Sequence, residues 1–527
     1  MDLLLLHVPK FNNYYKPIGS FSFIELPPIG LLGLAHFIST HQCSTKVIHL
    51  GVERQLAGSI DMEKIIADHQ PAIIGLDLHW HFQSFDVIEI ARTIKSIHPE
   101  IAVVAGGFTA SFFAEEILRD FNCIDFLIRG DAEIPLLELI KHHRSDRLYD
   151  EVPNLAFRQD GGSVKINPIA YTADREMLDS IRYTDFSLMK DYPTFVSSFS
   201  RYMSLNGVSQ ASQRMLFRWK RAYPLMLGRG CIYKCSFCGG SSPAQKVINN
   251  RTGVCYRSVE KVLESLEDLH RYGFEFAHVP FDPMPAHQAD DFYIPFLEGI
   301  VQRRIPLPLE LERYSPPSRP FVQAFRRIPA SGESFVTLSL HTPIEELRRK
   351  NNLHRYSNAE LETCLAMMEQ EGVNSVVFFT CGLPFETPED SQEMAEYQTY
   401  LRQKFSRVRC KSSMIEIEPC SELSQHPHHY QLVPHRTTFA DYYRYHSSPS
   451  RNHFLELGYD HPGWPDHQEF SRFFCNHFCS HFRTGRIPPS ACKVLCCLSG
   501  ATWRTGAFKI IDGAVALRRR QGNAALS

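Results

Sequence analysis

Residues Tyr223–Gly240 read YPLMLGRGCIYKCSFCGG. A short apolar run of strand character leads into three thiols, Cys231, Cys235 and Cys238, spaced C-x3-C-x2-C, and the pair Gly239-Gly240 follows at once. From Tyr223 onward strand and helix patterns alternate, with candidate strands at YPLMLG, FEFAHVPF, LPLELERY, SFVTLSL, NSVVFFT and KSSMIEIE. Six such units over residues 221–425 predict a partial (β/α)6 barrel of the TIM type, where chemistry sits on the loops at the carboxyl ends of the strands. The cysteine loop follows the first of them. The fourth helix is marked by a capping box at Ser357 and Glu360, an apolar face of Leu361, Cys364, Leu365 and Met368, and a stop at Gly372.

Upstream, residues 1–145 hold five further strand–helix pairs, beginning at DLLLLHVP, TKVIHLG, PAIIGLDLH, IAVVAGG and DFLIRG. They predict a parallel sheet covered by helices on both faces, a Rossmann-like domain within an overall α/β fold class. Its ligand belongs beyond the carboxyl ends of the strands, where the loops carry Pro27-Pro28, Gly106-Gly107 and Gly130-Asp131. Residues 146–220 read as a linker, with VPNLAFRQDGGSVKIN forming a hairpin turned at Asp160-Gly161-Gly162. Residues 426–527 are expected to be a mostly helical substrate or capping region beside the barrel.

A chain of 527 residues exceeds what one core serves, so two or three domains are expected. Lys and Arg number 56 against 58 Asp and Glu, a formal charge of -2, which offers no basic field to nucleic acid or an anionic membrane. The opening MDLLLLHVPKF lacks a basic leader and reads as a buried strand rather than a signal peptide. No apolar run approaches the roughly 20 residues of a membrane span. Fifteen cysteines without export belong in a reducing compartment, so the cytoplasm is expected and clustered thiols point to metal or catalysis.

Three thiolates on one tight loop can hold three irons of a [4Fe–4S] cube and leave the fourth iron open. Zinc competes, but a structural zinc site wants four closed ligands and this loop offers three. At the other end of the chain, Cys475, Cys479, Cys492 and Cys496, with His477 and His481 interleaved, are spaced for a second metal. FCNHFCSHF equally fits a buried helix face, and that reading is preferred.

GRGCIYKCSFCGG resembles the signature of radical S-adenosylmethionine (SAM) enzymes, including the aromatic Phe237 before the third cysteine. LPPIGLLGLA, VVAGG and LIRGDAE resemble the cobalamin-binding domain that precedes the barrel in one large branch, the class B methyltransferase-like one. VVFFTCGLPFET and IEIEPCSEL resemble that branch's fifth and sixth strands, so the likeness covers roughly residues 1–425.

The resemblance implies a [4Fe–4S] cluster on Cys231, Cys235 and Cys238, with SAM chelated to the open iron and cleaved to a 5′-deoxyadenosyl radical. It implies SAM contacts at Phe237, Gly239, Gly240, Phe281, Asp282, Ser339, His341 and Gly382. Cobalamin contacts are implied at Pro28, Gly30, Asp77, His79, Gly106, Gly107, Gly130 and Glu133. No catalytic residue is assigned.

Two departures from the pattern matter. Where many cobalamin domains carry Asp-x-His-x-x-Gly after the first strand, this chain reads HVPKFNNYY, so no imidazole is supplied to cobalt there. His79 and His81 are read as pocket-lining residues rather than cobalt ligands. Where the branch often has a Glu for the SAM ribose, LSLHTP offers Ser339, His341 and Thr342.

The function this implies is methylation of an unactivated carbon by methylcobalamin and the adenosyl radical. A cobalamin-associated radical cyclase or rearrangement enzyme is the alternative, and an iron–sulfur electron carrier ranks lower. An RNA methylthiotransferase is disfavoured, since residues 1–220 hold only Cys43 and Cys123 and not a further cysteine triad. The expected partners are a small-molecule, lipid or peptide substrate and an electron donor such as flavodoxin or ferredoxin.

Overall fold

The computed structural model describes residues 1–10, 28–57, 59–198, 221–280, 282, 288–354, 356–447, 457–466, 469–470 and 473–474. The first sheet is built from β1 (Leu3–His7), β2 (Thr45–His49), β3 (Ile73–Asp77), β4 (Ala102–Gly106), β5 (Phe126–Ile128), β6 (Leu155–Arg158) and β7 (Val164–Ile166), in the order 2-1-3-4-5-6-7. Strands β1 to β5 are parallel. Their near-continuous apolar runs follow from burial on both faces: Leu3 and Leu5 enter one core while Leu4 and Leu6 enter another. Chain order reverses between β1 and β3, which makes the loops after these two strands the expected binding crevice.

The hairpin turned at Gly161 and Gly162 forms, but it is not a linker. β6 pairs antiparallel with β5 and β7 with β6, so both extend the first sheet. The segment after it is not a linker either, because Ala173, Leu178, Ile181, Tyr183, Phe186 and Met189 are buried against both domains. Arg182 and Thr184 both donate to Asp268 of the second domain, at 2.8 Å, and Tyr223 Oη donates to the Tyr183 carbonyl. Residues 199–220 lie outside the described residues.

The second domain begins with β8 (Ala222–Pro224), followed by β9 (Gly228–Gly230) and β10 (Val254–Tyr256), which pair antiparallel beside the cysteine loop. β11 (Phe276–Val279), β12 (Leu309–Arg313), β13 (Phe335–His341), β14 (Asn374–Cys381) and β15 (Val408–Met414) complete a parallel six-stranded sheet in the order 15-14-13-12-11-8. All six expected strands are present. The helix Asn358–Gln370 carries its capping box and buries Leu361, Cys364, Leu365 and Met368.

Among the described residues, the C-terminal region lies beside the barrel as helix and short strand. It contains the helix Phe439–Ser447 and a short antiparallel pair, β16 (Val433–Pro434) with β17 (Tyr459–Asp460). Leu457, Tyr459, Trp464 and Phe470 are buried in the barrel's own core. The possible second metal set, Cys475, Cys479, Cys492 and Cys496 with His477 and His481, lies outside the described residues.

Candidate active site at the domain junction

The cysteine loop is fastened from several sides by backbone and side-chain bonds. Gly230, at φ +93°, lets the chain turn into Cys231, and a Cβ there would stand 2.2 Å from the Gly253 carbonyl. Ser236 N and Oγ donate to Asn351, at 3.1 Å each, and Asn351 Nδ2 donates in turn to the Pro384 carbonyl after β14. Gly239 N donates to Glu418 Oε2 at 2.6 Å, and Glu418 N donates to the Phe237 carbonyl. The loop after β8 is thereby tied to the loops after β13, β14 and β15.

The thiols fit an iron–sulfur group on chemical grounds. Burial pushes Cys231 up to about 11 and, with the neighbouring Cys231, raises Cys235 to about 12. Burial, Glu418 and the other two thiols hold Cys238 well above the usual thiol range. Three thiolates so crowded require a cationic partner. Tyr233 N and Gly240 N each donate to a cysteine sulfur at 3.3 Å, a supply of hydrogen bonds that suits sulfur ligands. Among the described residues no three His, Cys, Asp or Glu side chains converge as ligands of a single ion must, whereas a cube takes each thiolate at a separate iron.

Around the loop lies an aromatic and acidic wall. His341, at φ +68° where β13 bulges, bonds Thr380 Oγ1 at 2.9 Å, and its ring stands 5.7 Å from that of Phe237. Burial lowers its imidazole to about 4, so it is neutral. Ser339 Oγ donates to Glu312 Oε1 at 2.5 Å, and burial pushes Glu312 up to about 8. Gly382 is held through its N–H by Glu386 and through its carbonyl by Tyr459 Oη. Asp282 does not offer its carboxylate to a ligand, because Arg313, Tyr293 and the Tyr314 N–H take it in the core. Phe281 lies outside the described residues. An open cavity of 1140 Å³ borders the loop at Ile232 and Tyr233, beneath the stacked rings of Tyr314 and His354.

The first domain presents its carboxyl-end loops to the same place. Gly107, at φ +113°, packs so closely on the His79 backbone that a Cβ would come within 2.7 Å. Phe108 follows, stacked on His79 at 4.6 Å and abutting Gly240, whose hypothetical Cβ would lie 3.5 Å away. Burial lowers His79 to about 4. Asp77 ends β3 at the crevice, and its carboxylate bonds His7 Nδ1 at 2.5 Å and the Val8 N–H at 3.0 Å, fastening the loops after β1 and β3. Pro28 is buried at the start of the helix Ile29–Thr40, Gly30 is exposed, and Gly106 ends β4.

LIRGDAE has a different employment from the one its resemblance suggests. Asp131 bonds Arg229 at 2.9 Å and Arg251 at 2.5 Å, Glu133 bonds Arg229 at 2.5 Å, and Gly130 packs on Asn249. This is a buried clamp between the domains, gripping the arginine of GRGC two residues before Cys231. Glu133 is 1% exposed, so its carboxylate serves the clamp.

Sequence reasoning passed over Glu312, Asn351, Glu416 and Glu418. The period-2 alternation of LELER was a usable signal, since it sends Glu310 and Glu312 to the face opposite Leu309 and Leu311. Asn351 carried none.

Two domains of this kind, joined mouth to mouth, define a class of cofactor enzymes. The B12 binding domain family matches residues 20–140 and the Radical SAM superfamily matches residues 225–397. The chain thus carries a B12-binding domain ahead of a radical SAM domain.

Among its relatives, an uncharacterized methyltransferase of Pyrococcus horikoshii is 26% identical over 276 residues, 52% of each chain. The anaerobic magnesium-protoporphyrin IX monomethyl ester cyclase of Synechocystis is 23% identical over 243 residues, 45% of this chain and 42% of that one. The chain thus spans about half the length of the relatives it matches in sequence. The radical S-adenosylmethionine methyltransferase TsrM from Kitasatospora setae, in its structure with tryptophan and a SAM analogue, superposes over 100% of both chains with a TM-score of 0.62 at 16% identity. At that identity the likeness is one of fold. No helix among the described residues is long and apolar enough to cross a membrane.

Proposed function

We propose that the chain is a cobalamin-dependent radical SAM methyltransferase, with a [4Fe–4S] cluster on Cys231, Cys235 and Cys238, SAM in the barrel mouth and cobalamin between the domains. The observation that carries this reading is the apposition of Phe108, from the loop after β4, with Gly240 of the cysteine loop. When bound, these cofactors supply the methyl group and the adenosyl radical that takes a hydrogen atom from substrate.

The chain's own residues position and exclude. Asn351 and Glu418 hold the cysteine loop at fixed distance from the strand ends, and the Asp131 clamp holds the two mouths together. Phe237, His341 and Phe108 wall the junction with rings and keep water from a reactive intermediate. Glu312 keeps its proton near neutral pH and can donate a hydrogen bond into the barrel. His79 is too buried to protonate, and its ring is committed to Phe108. The substrate is a small molecule, lipid or peptide, and a reduced flavodoxin or ferredoxin is the expected electron source.

The test is incubation of the anaerobically reconstituted, cobalamin-loaded protein with reductant and SAM labelled in its methyl group. Label entering the bound cobalamin, and then product, supports the methyltransferase. The similarity to a cyclase favours a second reading, a rearrangement enzyme; 5′-deoxyadenosine formed with all of the released label in methionine, and none in cobalamin or product, would establish that instead.

A further inference from the structure

Three titratable side chains from three parts of the molecule meet at the domain junction. Glu416 follows β15, His81 follows β3, and His446 lies in the last turn of the helix Phe439–Ser447. His81 Nε2 is 2.9 Å from Glu416 Oε1, and His81 Nδ1 is 3.2 Å from His446 Nε2. His81 and His446 are buried, whereas the Glu416 side chain keeps 27% of its surface open. Two residues further on, Glu418 holds the Gly239 N–H, so Glu416 stands between the cysteine loop and the crevice of the first domain.

Charged groups surround the three. Lys10 Nζ donates to the Phe82 and His446 carbonyls, at 3.3 and 3.4 Å. Burial lowers that ammonium to about 8, against the pull of Asp86 and Glu416. The Tyr442 ring covers His81 at 4.9 Å, with the Arg436 guanidinium 5.8 Å above it.

Because both nitrogens of His81 are engaged, its tautomer ties the other two together. With the proton on Nδ1, His81 donates to His446 and accepts from a protonated Glu416. With the proton on Nε2, it donates to ionised Glu416 and accepts from His446. Passing from the first state to the second moves one proton from Glu416 to His81 and one from His81 to His446. The net result is a carboxylate at the open end and an imidazolium at the closed end.

We propose that Glu416 is a proton acceptor for the substrate in the space between the domains, re-ionised through His81 onto His446. In this step an X–H bond of the substrate breaks, its electron pair stays on X, and the proton goes to Glu416. The substrate class is therefore one that loses a proton in the course of the reaction. The position of the substrate rests on the proposed function; the relay rests on the distances alone. His81 and His446 act through Glu416 and are positioning residues.

The experiment is nitrogen NMR of the full chain labelled in its histidine rings, recorded from pH 5.5 to 9 without SAM or cobalamin. The two rings are assigned by loss of signal in His81→Phe and His446→Gln. In the unsubstituted protein, His81 is expected to carry its proton on Nε2 wherever His446 is an imidazolium, and on Nδ1 only where Glu416 is protonated. Glu416→Gln should move the His446 midpoint to lower pH, to an at least tenfold higher proton concentration, and should leave it unmoved in the His81→Phe background. A His81 ring that carries its proton on Nδ1 while His446 is an imidazolium would overturn the relay, as would an equal shift with and without His81. Since no cofactor is present, failure of methyl transfer would leave this result standing, and the reverse also holds.

Discussion

Cys231 raises the cost of ionising Cys235, and both raise that of Cys238, which under the proposed function a bound cluster would relieve. Replacing any one by Ala should abolish the visible absorption of the reconstituted protein and its SAM cleavage. Retention of both in all three variants would remove the basis of the assignment. Glu312 makes a second prediction at this scale. Its folded pKa, about 8, lies above the ordinary carboxyl value, so its contribution is full below about pH 4.5 and is lost as pH rises toward 8. Between pH 6 and 8 it should lower stability by up to about 1 kcal/mol per pH unit. Glu386 and Glu418, both pushed by burial to about 7, act in the same direction. Glu312→Gln should keep the bond from Ser339 and reduce the pH slope of the urea midpoint; an unchanged slope would show that Glu312 is ionised throughout.

The elements that matter most are the ends of strands and the loops they launch. After β5, Asp131 compensates two guanidiniums at once, Arg251 buried and Arg229 partly so, and burial, which alone would raise its carboxyl, is outweighed by the two arginines. Asp131→Ala leaves Arg251, 6% exposed, without its carboxylate and should cost about 3 kcal/mol or more in denaturant unfolding. A loss under about 1 kcal/mol would mean that Glu133 and solvent take over both arginines. The same variant should loosen the cysteine loop through Arg229 and slow cluster reconstitution, measured by absorbance.

Across the whole molecule, a single apolar cluster runs from Leu3 and Leu5 of the first sheet, through Tyr183 and Phe186, to Leu309 and Phe379 of the barrel. Domains that share a core lose it together. Calorimetry of the chain should therefore give one cooperative transition, with Asp131→Ala lowering its midpoint without splitting it. Two separated transitions in the unsubstituted protein would show that the strap over residues 173–189 is a tether and not part of a common core.

Strand positions, the cysteine spacing and the Ser357–Glu360 cap were legible along the chain, because local period and capping chemistry depend on neighbours a few residues apart. The hairpin at Gly161-Gly162 was legible too, but not its attachment to β5, since a sheet edge is chosen by what else is there to pair. Gly130 and Glu133 looked like ligand residues in sequence; only folding brought Arg229 and Arg251, about a hundred residues away, onto the carboxylates of Glu133 and Asp131. Asp282 was likewise drawn inward by Arg313. His81, Glu416 and His446 meet across 365 residues of chain, and no pattern in any one segment carries that meeting. Which polar side chain faces a ligand and which is neutralised inside is settled by long-range charge pairing and burial, and those exist only in the tertiary structure.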